Sequence, residues 1–383
     1  MRRATEQERL RLGETFESLC RIESPSFRER SCADWVLGEL DGMGFGAEED
    51  DAGTRVGSDA GNLLARLPGQ RDESILLCAH LDTVPLAAAV EPVIVDGGWE
   101  NANEGILGAD NKAAVAVMLE LARRLSAAPQ PPEVGLELLF TICEEVALQG
   151  AKAFDRTLLD SRFGYVFDHA SPIGEVVLAS PTYYRVVAEV HGRAAHAGIR
   201  PEAGRSAIAV AARGVAAMTL GRLDEETTAN VGTIAGGTNA NVVPEYCRLE
   251  CEARSLDSAR AESVATTMVD QLQEAADAAE CDLDITLEKM FDGYRSRAKE
   301  PQVALAERAL EACGYRPTHI VTGGGSDANA LQSAGFPCTN LANGTERNHE
   351  PGERVSVDAL EGMLEVAIAL FEEAPGVLAE LPS

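Results

Sequence analysis

A chain of 383 residues carries 33 basic against 62 acidic residues, a formal charge of −29. That balance argues against a nucleic-acid backbone or an anionic membrane as partner. An apolar share of 45% excludes wholesale disorder, and the length is more than one core normally serves, so two domains are expected. The nine cysteines are scattered without a CxxC pair and read as small buried hydrophobes in a reducing compartment. The charged start MRRATEQERLRLGETF is unlike a signal peptide, and no stretch reaches membrane-spanning length, so a cytoplasmic protein is expected.

Helical spacing runs from Glu6 to Cys20, breaks at Ser24-Pro25-Ser26, and resumes from Arg28 to Gly42. Asp59 to Leu67 reads as a turn and a strand. The apolar run Ile75 to Ala79 then predicts a buried strand that ends in His80 and Asp82, two ligand-type side chains that share a face in extended chain. A solvated turn with an incidental histidine would leave the same trace. Glu91 to Trp99 reads as a shorter extended piece ending in a Gly-Gly turn. Asp110 follows a glycine-containing turn at the start of an apolar helix reaching about Ser126, where it is either a helix cap or a carboxylate that needs a strong partner.

Val134 to Ile142 predicts a second buried strand with Glu144-Glu145 just past its end, and Phe163 to Phe167 a third, ending in Asp168-His169. Three strands that finish in ligand-type residues form the pattern of a site at the carboxyl edge of a sheet. From about Ala179 the order becomes strand, helix, two strands, helix, strand, to Met290. That is a split βαβ (ferredoxin-like) α+β plan, with an antiparallel sheet and helices on one face. A helix from Pro301 to Gly314, a strand at His319 to Thr322, a loop Gly323-Gly-Gly-Ser-Asp327, a strand at Phe336 to Leu341, His349 in a loop and a last helix from Val357 to Glu373 complete the chain. The glycine loop lacks the lysine and spacing of a nucleotide fingerprint.

His80, Asp110, Glu145, Asp168 and His349 form a donor set that suits zinc, cobalt or manganese. Five ligands are too many for one catalytic zinc and suit two metals with one bridging carboxylate. Asp82 fits as acceptor of the His80 ring N–H, and Glu144, beside a ligand, as base for the attacking water.

The segments LLCAHLDTVP, ILGADNKAAVAVM, TICEEVALQGAKAF, VFDHA, GRAAHAGIRPEAGRSAI and GGGSDANAL…ERNHEPGERVSV resemble the co-catalytic dinuclear zinc peptidases, closest to peptidase T-like members. The resemblance implies a mixed-sheet α/β zinc-exopeptidase domain, residues 1–178 and 293–383, interrupted by a lid or dimerisation domain, residues 179–292. It implies His80 on one metal, Asp110 as the bridge, and Glu145, Asp168 and His349 completing the ligands. Two divalent metals per chain are expected, zinc first and cobalt or manganese as alternatives. Glu144 matches the general base and Asp82 the carboxylate that orients the first histidine. His196 matches a histidine that reaches the partner subunit's site in dimeric relatives, and Asn241 and Arg254 match substrate-binding positions. The expected activity is hydrolysis of short peptides by an exopeptidase, an aminopeptidase acting on di- and tripeptides, in a homodimer formed through the inserted domain. An N-acyl-amino-acid deacylase or carboxypeptidase shares the mechanism. A binding or scaffold protein on the same fold would have no need of the intact ligand set.

Overall fold

A computed structural model describes residues 3–381. The chain forms two compact units. The first holds the described residues up to Leu178 together with Ser296–Val321 and those from Gly325 onward. The second holds Ala179–Arg295 and Thr322–Gly324.

The first unit is built on a mixed sheet. Its strands lie in the order Ala47–Glu49, Leu63–Leu67, Gly135–Thr141, Ser74–His80, Ser161–His169, Cys338–Ala342 and Glu175–Ser180. The four from Gly135–Thr141 to Cys338–Ala342 run parallel. Ser74–His80 and Gly135–Thr141 are buried along their whole length, as expected of parallel strands covered on both faces. The helix Ala109–Ser126 is buried from Ala109 to Ala122, and Val357–Leu378 is nearly as buried. Two buried acids of these helices have cations: Glu120 takes Arg11 and Arg123, and Glu365 takes Arg9. The last helix continues past Glu373 through Pro375, because Ala374, Val377 and Leu378 still pack on the core.

Two local expectations change. Glu91 to Trp99 is not one extended piece but the larger part of a hairpin, Pro92–Val95 with Gly98–Asn101. Asp96 and Gly97 turn it with φ of 47° and 74°, and an Asp-Gly pair tolerates that left-handed turn best. Glu175–Ser180 is an added strand, separated from the next by Pro181 alone.

The hairpin has a function in the architecture. It joins Arg354–Ser356 and Thr345–Glu346 in a four-stranded sheet. Arg354 to Ser356 pair with Glu100 to Gly98, so the loop that holds His349 is clamped near the segment that runs into Asp110.

In the second unit the strands order as Gly221–Asp224, Thr227–Gly236, Tyr246–Ser255, Thr182–His191 and Asp282–Phe291, all antiparallel. Alternate residues Val186, Ala188, Val190 and Cys247, Leu249, Cys251 share one buried face with Val210 of helix Ala207–Ala217 and Val264, Met268 and Leu272 of helix Ser258–Ala278. The short strand Gly221–Asp224 adds to the expected split βαβ order.

Candidate metal centre

The three central strands deliver their polar ends to one edge. His80 closes its strand opposite Thr141, three residues before Glu144. Asp168 lies two residues beyond Val166, the partner of Cys78. The loop between the clamped strands brings His349 to the same place, with φ of 57° at Arg347 and 67° at His349.

The two oxygens of Asp110 face two different imidazoles. His80 Nε2 lies 3.3 Å from Asp110 Oδ1 and 3.7 Å from Asp168 Oδ1. His349 Nε2 lies 3.3 Å from Asp110 Oδ2 and 3.0 Å from Glu145 Oε2. The donors of His80, Asp110 and Asp168, and those of Asp110, Glu145 and His349, each lie within 4.8 Å of one another. Two donors about 2.0 Å from a tetrahedral ion are roughly 3.3 Å apart, so the residues present fit two metals that share Asp110. Asp110 Oδ1 and Glu145 Oε1 are buried without a hydrogen-bond partner, which adds to the fit.

Electrostatics point the same way. Burial and the negative charge of Asp168 push the Glu144 carboxyl well above its ordinary range. Burial and the charge of Asp110 do the same to Asp168. Burial would raise Asp110 too, but the adjacent imidazoles of His349 and His80 outweigh it and hold that carboxyl low. Hydrogen bonds to Asp110 and Glu145 push His349 up to about 10. Beside burial, the shifts reflect carboxylates crowded together with imidazoles as their charged partners. A divalent cation among these groups relieves that crowding.

Asp82 departs from expectation. The acceptor for His80 Nδ1 is the backbone oxygen of Asp82, at 2.9 Å, while its carboxylate is 3.6 Å away. That carboxylate is engaged elsewhere, by Glu144 N at 2.9 Å, Glu145 N at 3.2 Å and Ser26 Oγ at 2.7 Å. A short turn past a strand end lets the carbonyl reach the ring, which frees the side chain to hold the next strand's turn.

Several further residues at the site carry no role in the sequence reading. Glu353, 1% exposed, accepts from the backbone N–H of Leu107, Gly108 and Asp110, each at 2.9 Å. Asn348 Nδ2 donates to Asp110 Oδ2 at 2.8 Å. Asn340 and Asp168 exchange hydrogen bonds, at 3.0 Å to the Asp168 N–H and 3.2 Å to its carbonyl. Asp327, from the glycine loop, is buried under the strand ends and takes the Thr141 hydroxyl at 2.5 Å. Burial pushes its carboxyl up to about 6.

The remaining expected residues belong to the second unit. His196 is exposed, and its Nδ1 accepts from Gly198 N at 3.2 Å, so a neutral ring carries its proton on Nε2. Asn241 is its neighbour: Ala197 N donates to Asn241 O at 2.9 Å, and His196 bridges to Val242. Arg254 is occupied. It donates to Glu252 Oε2 at 3.1 and 3.3 Å and to Gly323 O at 3.2 Å, and it stacks over Tyr183 at 4.3 Å.

The model of peptidase family M20/M25/M40 matches residues 76–373 of this chain. The uncharacterized protein YqjE of Bacillus subtilis (strain 168) is 36% identical over 95% of this chain and 98% of its own length. The crystal structure of aminopeptidase PepT from Bacillus cereus ATCC 10987 matches with a TM-score of 0.84 at 36% identity, covering 96% of this chain and 99% of that one. A tripeptidase (SAV1512) from Staphylococcus aureus Mu50 matches with a TM-score of 0.88 at 31% identity, covering 95% and 98%.

Proposed function

The chain belongs to peptidase family M20/M25/M40, and we propose that it is a metal-dependent aminopeptidase that removes the first residue of short peptides, tripeptides first. The observation that carries this reading is Asp110, whose two oxygens face His80 and His349 beside the buried acid Glu144. The aminopeptidase and tripeptidase among the similar structures support the choice of substrate end and length.

His80, Asp168 and one oxygen of Asp110 would hold one metal, and His349, Glu145 and the other oxygen the second, with zinc as first choice and cobalt or manganese as alternatives. When bound, such a pair supplies an acidified water and positive charge for the carbonyl oxygen of the scissile bond. Glu144 takes the proton of the attacking water on a carboxylate oxygen and hands it to the leaving amine nitrogen. Asp82 holds the Glu144 and Glu145 backbone, while its own carbonyl fixes the tautomer of His80 so that Nε2 is the ligating atom. His196 Nε2 donates to the carbonyl oxygen as charge develops there, reaching across from a partner subunit, and Asn241 and Arg254 contact the substrate. The dimer forms through the second unit, whose terminal strand Asp282–Phe291 pairs on one side within its sheet. A cytoplasmic location is part of the same reading; no helix among the described residues is long and apolar enough to cross a membrane.

The test is a substrate panel: a free tripeptide, its N-acetylated and C-amidated forms, and an N-acyl amino acid, read by mass spectrometry. The free and amidated tripeptides should lose their first residue and the two acylated compounds should survive. Preferred cleavage of the N-acyl amino acid would make the protein a deacylase, and release of the last residue a carboxypeptidase.

A further inference from the structure

The turn that presents Glu144 is held by side chains. Four consecutive backbone N–H groups donate to them: Ile142 N to Asn62 Oδ1 at 3.1 Å, Cys143 N to Glu29 Oε1 at 3.0 Å, Glu144 N to Asp82 Oδ1 at 2.9 Å and Glu145 N to Asp82 Oδ2 at 3.2 Å. Asn62, Glu29 and Asp82 are all 0% exposed. Within this set Glu29 has the unusual task. It holds Cys143, the residue before Glu144, whose φ of 52° lies in the left-handed region that non-glycine residues rarely adopt. Such a conformation is strained and persists only where the surroundings over-determine it.

Glu29 Oε1 also accepts from Phe27 N at 3.0 Å and from the Cys143 thiol at 3.2 Å, while Oε2 accepts from Ser58 Oγ at 2.5 Å. Every donor is neutral. A buried carboxylate balanced only by neutral donors is a poor stabilising device, since its desolvation is not recovered by a cation. It is a good positioning device, because an ionised carboxylate accepts at several sites and offers no competing donor. The same short segment reaches the strand ends twice more, through Ser24 Oγ to Leu81 O at 2.8 Å and Ser26 Oγ to Asp82 Oδ2 at 2.7 Å.

The geometry points to Glu29 as a positioning residue for Glu144: by pinning the left-handed turn at Cys143, it aims the next residue's carboxyl group at the reacting water. The inference rests on the reading of Glu144 as the base. Glu29 touches no reacting atom and acts only through Cys143.

Two readouts test it. The first is amide hydrogen exchange of a peptide spanning residues 142–146 in the apoprotein, which needs neither substrate nor metal. Exchange should accelerate at least tenfold in Glu29→Ala and stay near wild type in Glu29→Gln, whose amide oxygen still reaches Cys143 N while Ser58 turns to accept from the amide. Unchanged exchange in Glu29→Ala overturns the proposal. The second is a double-mutant cycle on tripeptide hydrolysis by the metal-replete enzyme. Glu29→Ala should lower kcat roughly 10- to 100-fold, the scale of a misplaced catalytic group, with KM and metal content within twofold. In a Glu144→Gln background the same change should cost less than twofold, because its effect passes through Glu144. Equal losses in both backgrounds would mean general structural support and would overturn the positioning role. Full turnover by Glu144→Gln alone would instead remove the base assignment, a separate failure visible in that single variant. If Glu29→Ala does not fold, Glu29→Asp, whose shorter arm withdraws from Cys143, replaces it in both readouts, with the same results expected and the same results overturning the proposal.

Discussion

Removing Glu353 should loosen the bridging aspartate before it affects anything else. The carboxylate accepts three backbone N–H groups at 2.9 Å, two on Oε2 and one, from Asp110, on Oε1. It is almost fully buried, so Glu353→Ala leaves three donors facing a hole. An orphaned buried donor costs about 1–3 kcal/mol, and water entering the hole keeps each near the lower end. The three donors sum to about 3 kcal/mol and removing a buried charge returns part of that, so a net loss of up to about 3 kcal/mol is expected. Glu353→Gln is more selective. Its single amide oxygen serves Leu107 and Gly108 best, which turns the NH2 toward the Asp110 N–H and costs about 1–3 kcal/mol at that one place. Urea unfolding of the apoproteins measures both losses. Calorimetric zinc titration should show affinity weakened about 10- to 100-fold in Glu353→Gln, as for other groups that orient a metal ligand. Variants that unfold within about 0.5 kcal/mol of wild type, by the usual tolerance for surface changes, and bind zinc equally well would refute the reasoning.

Three further outcomes are expected. Glu144→Gln should keep both metals and lose turnover on the order of 10²–10⁴-fold, whereas Glu145→Gln should lose metal; equal metal loss in both would reverse the roles. Glu8 caps the first helix, accepting from Thr5 N at 2.6 Å and from Arg124 at 3.2 Å, and these contacts outweigh burial and lower its pKa. A lowered folded pKa means stability that is present above the ordinary glutamate range and is lost as pH falls through the folded value. Glu8→Gln should therefore cost about 1 kcal/mol at pH 7, with the gap closing below about pH 4; a constant gap in denaturant midpoints would contradict it. His196→Ala chains mixed with Glu144→Ala chains should recover activity when subunits exchange, and proven heterodimers without recovery would exclude a contribution across subunits.

The strand ends are legible because parallel strands must be apolar along their length, so His80, Glu144, Glu145 and Asp168 stand out where each apolar run stops. Asp110 and His349 are harder, since each sits on a turn whose place is set by the small sheet that joins Gly98–Asn101 to Arg354–Ser356. Glu29 and Glu353 carry no expected role, because the turns they hold are gripped through backbone N–H groups, which every residue but proline carries. Asp82 shows the same limit within one residue. Sequence identifies a carboxylate beside His80 but not that the carbonyl would take the ring and leave the carboxylate for the neighbouring turn.

Activity of the metal-free enzyme on a free tripeptide, followed as zinc is added in known equivalents per chain, tests the central claim most directly. A site in which Asp110 joins two ligand sets should give no hydrolysis without metal and a rise that breaks at two equivalents. Hydrolysis that persists without metal, a plateau at one equivalent, or no cleavage of the tripeptide at any load would contradict it.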